Sequence, residues 1–348
     1  MKSFLFFVLS IHFLAAIDLD DQCSSFVLET KRIEIPGYSY AFNASIVPFK
    51  GSYLLSFRTG AYQEAANSDF IQNVMPASRP RKTDEIALVF LNKNMDPYGD
   101  IQILDIQHHH GLRAFRQQDP RLVEIGENIY IIYSNMIEGP DPIRRVFVGE
   151  LFYDGAYFRV GEPECMAYFE GAGSRSIEKN WVPFDFRGQL LLSYSLVPHT
   201  VFAPDWHLKK CITVAKTLSD ISWDYGELRG GTPAIMDQGE YIAFFHSSKV
   251  MASKQSGGHK MIHYFMGAYT YLAEPPFSLT SMSSTPIINK NFYNGDMYKT
   301  WKPLRVIFPC GLVAEDDFFW VTYGRQDHEV WACKIDKKGL YQSLSSVI

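Results

Sequence analysis

Five polar segments of the sequence place carboxylate, amide and cationic side chains just before apolar runs. The most prominent carboxylate is Asp119, in a Gln-Asp-Pro-Arg segment. The other candidate site residues are Asn43, Arg58, Arg121, Arg145, Lys179, Asn180 and His246. Displacement at the anomeric carbon of a sugar needs an acid to protonate the leaving oxygen and a nucleophile to attack the carbon. One acid among several cations favours phosphate as that nucleophile, because phosphate needs cations and directed donors but no base.

Other interpretations of these residues stay open. A second carboxylate from Glu178, Asp327 or Glu329 would permit hydrolysis with two acids. Taken singly, Asp119 could belong to a surface turn and His246 to the core. The functional interpretation therefore depends on the polar segments being equivalent positions of a repeat.

An apolar run rich in Tyr, Phe, Ile, Val and Leu occurs five times, each time after a turn with Gly, Asn or Asp. The copies lie at 51–58, 127–135, 188–196, 239–247 and 317–325. Each copy follows a polar or Gly/Pro-marked segment, which we call its head, at 42–49, 118–125, 178–184, 230–236 and 308–314. The similar spacing from head to run predicts a hairpin each time, and the composition suits strands buried on both faces.

Five hairpins at long, irregular spacing predict an all-β fold, a five-bladed β-propeller, whose innermost strands surround a central axis. The first polar residues of these strands would point into one funnel although they are distant in sequence. An ordinary β-sandwich with polar residues at its turns is the alternative fold. The propeller is expected to occupy residues 17–348 as a single domain.

The first 16 residues have the layout of a secretory signal peptide, with one Lys, an apolar run from Phe4 to Ala16 and then acidic residues. A signal predicts a secreted, periplasmic or lumenal protein, and without one the protein would be cytoplasmic. No later stretch is long and apolar enough to span a membrane. The formal net charge of -5 argues against nucleic acid as a partner. The five scattered cysteines lack CxxC pairs and are expected to be free thiols.

The heads and their order resemble those of the family 130 glycoside phosphorylases and hydrolases, five-bladed propellers that act on β-mannosides, and of the related protozoan mannosyltransferase/phosphorylase family. The resemblance spans roughly residues 40–335. The matching segments are FNASIVPFKGSYLLSFR, QDPRLVEIGENIYIIYS, IRRVFVGELF, EKNWVPFDFRGQLLLSY, FFHSS and FPCGLVAEDDFFWVTYGRQDHEV. The resemblance implies that Asp119 is the general acid and that Asn43 and Arg58 help to form the sugar and phosphate subsites.

The same resemblance implies phosphate binding by Arg145 and Lys179, and places His246, Tyr323 and Asp327 around the substrate. The implied reaction is inverting: Asp119 protonates the glycosidic oxygen, directly or through a sugar hydroxyl, while phosphate attacks C1. Run backwards, it makes glycosides from a sugar phosphate. The expected partners are an oligosaccharide or sugar phosphate, with inorganic phosphate as co-substrate and no metal or organic cofactor. The three histidines at 108–110 are expected to form a solvated loop.

The sequence departs from the family pattern at two places. Gln118 replaces the acidic residue that precedes the general acid. SLVPH occupies the region of the family's His-Arg-Pro phosphate signature, with His199 as its histidine. A glycosyltransferase, an exported glycoside hydrolase of the same fold and a non-catalytic glycan-binding propeller are therefore kept as alternatives. The sugar, the linkage, the direction of reaction and the oligomeric state are left open.

Overall fold

The computed structural model describes residues 16–60, 84–106, 114–137, 143–166, 168–169, 177–208, 210–295, 298 and 304–347. Their regular structure is almost entirely β-strand. The helices described are α1 (Lys290–Tyr293), α2 (Lys337–Ser343) and two 3-10 turns, Asp20–Gln22 and Lys254–Ser256. None of the helices within these ranges is long and apolar enough to cross a membrane. The predicted signal peptide, apart from Ala16, and the three histidines at 108–110 lie outside the described residues.

The strands form five sheets, named A to E in the order of their innermost strands. The first strand, β1 (Val27–Arg32), belongs to the last sheet. Sheet A contains β2 (Phe42–Phe49), β3 (Ser52–Thr59), β4 (Glu85–Leu91) and β5 (Pro97–Ile103). Sheet B contains β6 (Ala114–Ile125), β7 (Asn128–Ile137), β8 (Ile143–Tyr153), β9 (Phe158–Val160) and β10 (Glu164–Cys165). Sheet C contains β11 (Tyr168–Phe169), β12 (Val182–Phe186), β13 (Gln189–Leu196), β14 (His199–Asp205) and β15 (Lys210–Thr217).

Sheet D contains β16 (Arg229–Gly230), β17 (Ile235–Asp237), β18 (Glu240–Met251), β19 (Met261–Leu272), β20 (Leu279–Ser283), β21 (Leu304–Arg305) and β25 (Leu344–Ser346). Sheet E contains β22 (Ile307–Ala314), β23 (Phe318–Arg325) and β24 (Glu329–Asp336), and β1 completes it by pairing antiparallel with β24. A strand from near the start of the chain therefore closes the sheet formed near its end.

Two-residue turns ending in glycine join the innermost strand to the second strand in three sheets. Lys50-Gly51, Arg187-Gly188 and Gln238-Gly239 have positive φ at both residues. A type I′ turn requires this backbone, its twist matches that of a hairpin, and glycine adopts it without steric cost. The hairpins predicted from the repeat are confirmed at these positions.

The innermost strands form a closed ring. β2 contacts β6, β6 contacts β12, sheet C contacts β16, sheet D contacts β22, and β22 returns to β2. A separate apolar cluster fills each gap between neighbouring sheets. Between sheets E and A, for example, Ala44 and Leu55 pack with Trp320 and Val330. Burial of this apolar surface holds each sheet against the next, and the predicted all-β propeller arrangement is confirmed.

Four regular blades are present rather than the predicted five. The sheet that departs most from four antiparallel strands is sheet D, whose innermost strand is divided into β16 and β17. Gly231 begins the interruption, where a Cβ atom would lie 2.4 Å from the carbonyl oxygen of Phe244. Pro233, inside the interruption, has no N–H to donate to a strand ladder. All five cysteines are free thiols, and Cys211, Cys310 and Cys333 are buried, whereas Cys23 is exposed and Cys165 is half-buried.

Candidate functional site

The same unusual backbone occurs within, or just before, the innermost strands of three sheets. Asn43, Asp119 and Asn180 have φ values of 49°, 56° and 64°, in the left-handed region. The ladder of sheet A shifts register between Phe42 and Ser45, and that of sheet B shifts between Gln118 and Arg121. Such bulges re-aim a side chain that would otherwise follow the alternation of the strand. Here they bring the heads together at the axis.

Asp119 is buried, and one of its carboxylate oxygens is fixed by two donors. Asn43 Nδ2 donates to Asp119 Oδ1 at 2.8 Å, and Arg58 Nη1 lies 3.3 Å from the same oxygen. Oδ2 accepts no hydrogen bond from the described residues and is not enclosed, so it is open to a ligand. Burial acts to raise the pKa of Asp119. The charges of Arg58 and Lys179 outweigh burial, and with the Asn43 hydrogen bond they lower the pKa to about 2.

Arg58 lies between two carboxylates. Its Nε and Nη2 atoms are 3.2 Å and 2.9 Å from Asp84 Oδ1, and its third nitrogen contacts Asp119. Gln118 Nε2 donates to the other Asp84 oxygen at 2.6 Å. Burial disfavours the charge on Arg58, but the two carboxylates more than compensate and raise its pKa. Arg58 therefore orients Asp119, and its charge is already balanced within the protein.

Arg121 makes hydrogen bonds to residues of three sheets at the axis. Its Nε donates to the carbonyl of Gly231 at 2.6 Å and Nη1 to the carbonyl of Asp119 at 3.1 Å. Nη2 lies 3.4 Å from Asn180 Oδ1. Arg121 is almost fully buried, so these contacts position the heads of sheets B, C and D relative to one another.

His246 is a buried neutral imidazole at the same place. Burial and the nearby charges of Arg229 and Arg121 hold its pKa well below the usual value. Its Nδ1 atom has no hydrogen-bond partner among the described residues. The ring lies parallel to Tyr264, with centroids 5.9 Å apart, and 4.5 Å from the ring of Phe308. This nitrogen is enclosed by protein atoms, so its hydrogen-bonding capacity is unused in the structure.

Further cations surround the acid. Burial lowers the pKa of Arg144 to about 10, with Asp119 acting in the opposite direction and Arg58 in the same direction. Lys179 is exposed to solvent, yet enough protein lies around its amino group to desolvate it in part. Desolvation lowers the pKa of Lys179, Asp119 opposes this, and Arg144 and Arg229 lower the pKa further. The charges of Arg144, Lys179 and Asp119 therefore influence one another.

A cavity of about 630 Å³ opens between sheets C and D beside these groups. Its lining includes Lys179, Asn180, Tyr194, Arg229 and Tyr264. Lys179 and Asn180 also act on Asp119 and Arg121, respectively, so the cavity adjoins the acid. The lining also includes Glu178 and Glu227, and Arg229 pairs with Glu227 at 3.0 Å, so Lys179 is the cation of the cavity that is available to a negatively charged ligand.

Of three further predicted site residues, two are placed away from Asp119 and its neighbours. Arg145 is adjacent to Arg144 on β8 and so lies on the other face of the strand, where its charge acts on the thiol of Cys165. Tyr323 is fully buried in the apolar cluster between sheets D and E. The charge of Asp327, in contrast, acts on the pKa of Arg58 and of Tyr264.

The structure also adds residues that the sequence interpretation missed. Arg144 occupies the place predicted for Arg145, and Asp84, Arg229 and Tyr264 belong to the same neighbourhood. His199, considered as a phosphate ligand, is instead buried inside sheet C with Nε2 2.9 Å from Ser193 Oγ. Nothing in the local sequence distinguishes these cases, because each depends on which face of a strand a side chain occupies. Within the described ranges, no group of His, Cys, Asp and Glu could hold a metal ion.

Comparisons with known proteins were informative at the level of structure. No protein-family model and no curated protein sequence matches the chain. A glycosyl hydrolase from Bacteroides ovatus has a TM-score of 0.59 at 11% identity, covering 89% of this chain and 88% of its own. β-1,2-Mannobiose phosphorylase from Listeria innocua scores 0.58 at 16% identity, with coverage of 90% and 92%. A mannose phosphorylase from Leishmania mexicana, in complex with phosphate, scores 0.55 at 12% identity, with coverage of 92% for both chains.

These similarities extend over most of the chain, but the sequence identities are low. They establish a shared fold: the chain has the propeller fold of the family 130 mannoside phosphorylases and of several glycoside hydrolases. The resemblance stated from the heads is confirmed at that level.

Proposed function

We propose that the chain is a carbohydrate-active enzyme that transfers a glycosyl group between a β-mannoside, or a similar glycan, and phosphate with inversion of configuration. In this proposal Asp119 is the general acid. Asn43, Arg58 and Arg121 hold it in place, and Lys179 and Arg144 attract the anionic co-substrate. Glycosyl transfer from a sugar phosphate is the reverse reaction at the same site.

The observation that carries the proposal is the open oxygen of Asp119 among cations. Asn43 and Arg58 occupy Oδ1, so Oδ2 is the atom that faces a substrate. A proton on Oδ2 can pass to the glycosidic oxygen, directly or through a sugar hydroxyl, as the bond to C1 breaks. Phosphate on the opposite face of the sugar then forms the new bond to C1, and its charge is balanced by Lys179 and Arg144.

Hydrolysis would need a second carboxylate to activate water. Both oxygens of Asp84 are engaged, by Arg58 and by Gln118. Glu178 is buried with one oxygen 3.3 Å from the indole nitrogen of Trp181, and Glu329 is held by Tyr298, Trp331 and Arg325. Asp327 is then the carboxylate on which the alternative, an exported hydrolase, depends.

Localisation follows the same reasoning. If the N-terminal segment is a signal peptide, the enzyme acts outside the cytoplasm, where hydrolysis gains weight because free phosphate is less abundant there. A cytoplasmic enzyme would favour phosphorolysis. A glycan-binding protein without catalysis is the remaining alternative. Trp181 is buried, but the rings of Tyr194 and Tyr264 line the cavity, where they can stack on a sugar.

The test is to incubate the protein with β-1,2-linked mannobiose and phosphate, and in reverse with mannose 1-phosphate and an acceptor, measuring phosphate taken up or released. Asp119→Asn should lower kcat by about 10²- to 10⁴-fold, the range for loss of a general acid. Asp220→Asn, at an exposed carboxylate, is the matched control and should retain full activity. Sugar release that needs no phosphate would support the hydrolase, and glycan binding without turnover would support the binding protein. Full activity in Asp119→Asn would remove the assignment of the acid.

A further inference from the structure

A second cavity, which we call the rim pocket, lies at the seam between sheets E and A. Its volume is about 440 Å³, and it is lined by residues 32–35, 37–39, 41 and 328–330. This volume is within the range of about 300–1,000 Å³ for small-molecule sites. The site described above does not use it.

The rim pocket opens on the same face of the propeller as the funnel. Arg32 ends β1 opposite Trp331, near the start of β24, and Glu329 begins β24 opposite Arg325. Arg325 in turn pairs with Ile307, the first residue of innermost strand β22. Because the heads lie at the starts of the innermost strands, the pocket and the heads share one end of the sheets.

The chain connects the rim pocket to the acid directly. Residues 33–41 run from the outer strand β1 to the innermost strand β2, so they cross from the edge of the molecule to the axis. The Thr59 hydroxyl donates to the carbonyl of Tyr40 at 2.8 Å, and Thr59 follows Arg58. Asp327, whose charge acts on Arg58, precedes His328 in the pocket wall. The wall of the rim pocket and the surroundings of Arg58 are therefore formed by neighbouring residues of the same chain segments.

Two aromatic side chains, Tyr38 and His328, line the rim pocket, and other rings pack against them. The imidazole of His328 stacks on Tyr298 with centroids 3.7 Å apart and an interplanar angle of 15°. Tyr40 meets the edge of His328 at 5.3 Å. Tyr38 packs edge-on against Phe57 at 5.6 Å and is half-buried. Rings held in this way give rigid apolar faces beside polar groups at little cost in conformational entropy.

The charges of the rim pocket are balanced. Glu329 is buried and accepts from Tyr298 at 2.6 Å and from Trp331 at 2.7 Å, while Arg325 pairs with it. Arg32 lies 3.2 Å from Glu329 with its side chain 44% exposed, and the exposed Glu34 lies nearby. The imidazole of His328 makes no hydrogen bond to the described residues. Balanced charge favours a neutral ligand, in contrast to the cationic surroundings of Asp119.

We propose that the rim pocket is a subsite for a neutral oligosaccharide, holding the part of a glycan chain that extends out of the funnel. Aromatic faces suit the apolar faces of sugar rings, and Arg32, Glu34, Ser39 and His328 offer hydrogen bonds to hydroxyl groups. The inference rests on the proposed function, because the funnel must hold the reacting sugar. It predicts that the enzyme prefers longer chains to disaccharides.

The experiment compares kcat/KM for β-1,2-linked mannotetraose with that for mannobiose, and uses their ratio as the readout. His328→Ala and Tyr38→Leu should each lower this ratio about five- to tenfold, the scale of one lost aromatic contact. Tyr38→Leu keeps an apolar side chain over Phe57, so it guards against loss of folding. Tyr157→Ala, at a tyrosine that is 63% exposed on sheet B, is the matched control and should keep the ratio of the wild type.

Calorimetric binding of mannotetraose separates this inference from the proposed function. The rim-pocket inference is overturned if mannobiose is turned over but kcat/KM is no higher for mannotetraose. It is also overturned if both variants keep the wild-type ratio of kcat/KM. In either case the proposed reaction stands. Binding of mannotetraose that His328→Ala weakens, without any turnover, supports the pocket and overturns the proposed reaction. Absence of both binding and turnover overturns both.

Discussion

Binding of a dianion beside Lys179 should drive a proton onto Asp119. In the structure the pKa of Asp119 is about 2, so at pH 7 it is a carboxylate. A general acid must carry a proton, and placing one on Asp119 at pH 7 costs about 7 kcal/mol, because each pH unit corresponds to about 1.36 kcal/mol. The anionic co-substrate is the group in the proposed reaction that can offset this cost.

The magnitude follows from the charges. A dianion roughly 5 Å from Asp119 destabilises the carboxylate by about 3 kcal/mol per charge at an effective dielectric constant of about 20, or about 7 kcal/mol in total. This is close to the cost of protonation. Binding should therefore be accompanied by uptake of about half a proton at pH 7 and about nine-tenths of a proton at pH 6.

The assay is calorimetric titration with sulfate, which keeps two charges near neutral pH and releases no proton of its own. Enthalpies measured in two buffers with different ionisation enthalpies give the number of protons taken up. Asp119→Asn should bind sulfate without this uptake, and the exposed-site control Asp220→Asn should behave as the wild type does. Equal enthalpies in both buffers for the wild type, or the same proton count in Asp119→Asn, would refute the coupling.

Three further outcomes are expected. Arg144→Met should raise the KM for phosphate about tenfold or more in initial-rate assays, since it removes a charge-assisted contact, whereas Arg145→Met should mainly lower the melting temperature. Gly324→Ala would place a Cβ atom 1.9 Å from Asn43 Oδ1. Thermal unfolding should therefore show that the free energy of unfolding falls by about 1–3 kcal/mol. Unchanged stability would contradict the close approach. The pKa of Asp119 in the folded protein lies below the unfolded value of 3.8. Its carboxylate therefore contributes about 2 kcal/mol to the free energy of unfolding above pH 4, and this contribution is lost as the pH falls towards 2. Urea titrations should show that the free energy of unfolding of Asp119→Asn falls less across this pH range than that of the wild type.

The parts of the fold that depend on local sequence could be predicted. Lys50-Gly51, Arg187-Gly188 and Gln238-Gly239 each specify a tight turn between apolar runs, so the hairpins follow from residues next to one another. The division of the innermost strand of sheet D was missed, although Pro233 marks it. The pairing of β1 with β24 joins segments separated by about 300 residues, and no local pattern specifies it.

The candidate site was predicted less completely because strand faces depend on register. Arg144 and Arg145 are consecutive, so a shift of one residue decides which of them faces Asp119. Tyr323 and Gly324 show the same ambiguity. The tyrosine enters the core, and the glycine leaves room for Asn43. A bulge adds one residue to a strand and so changes which of the following side chains face each side of the sheet. The positions of the bulges were not visible in the sequence.

The bulges themselves indicate where the fold has been shaped for a ligand. Left-handed φ values at residues other than glycine cost about 1–3 kcal/mol each and persist only where the surroundings enforce them. Outside the hairpin turns, such residues include Asn43 near the start of β2, Asp119 within β6 and Asn180 just before β12. A propeller that needed only stability would begin its innermost strands without this strain. The strained backbone, the buried charges and the open oxygen of Asp119 occur together, and their coincidence supports the proposed reaction at that oxygen.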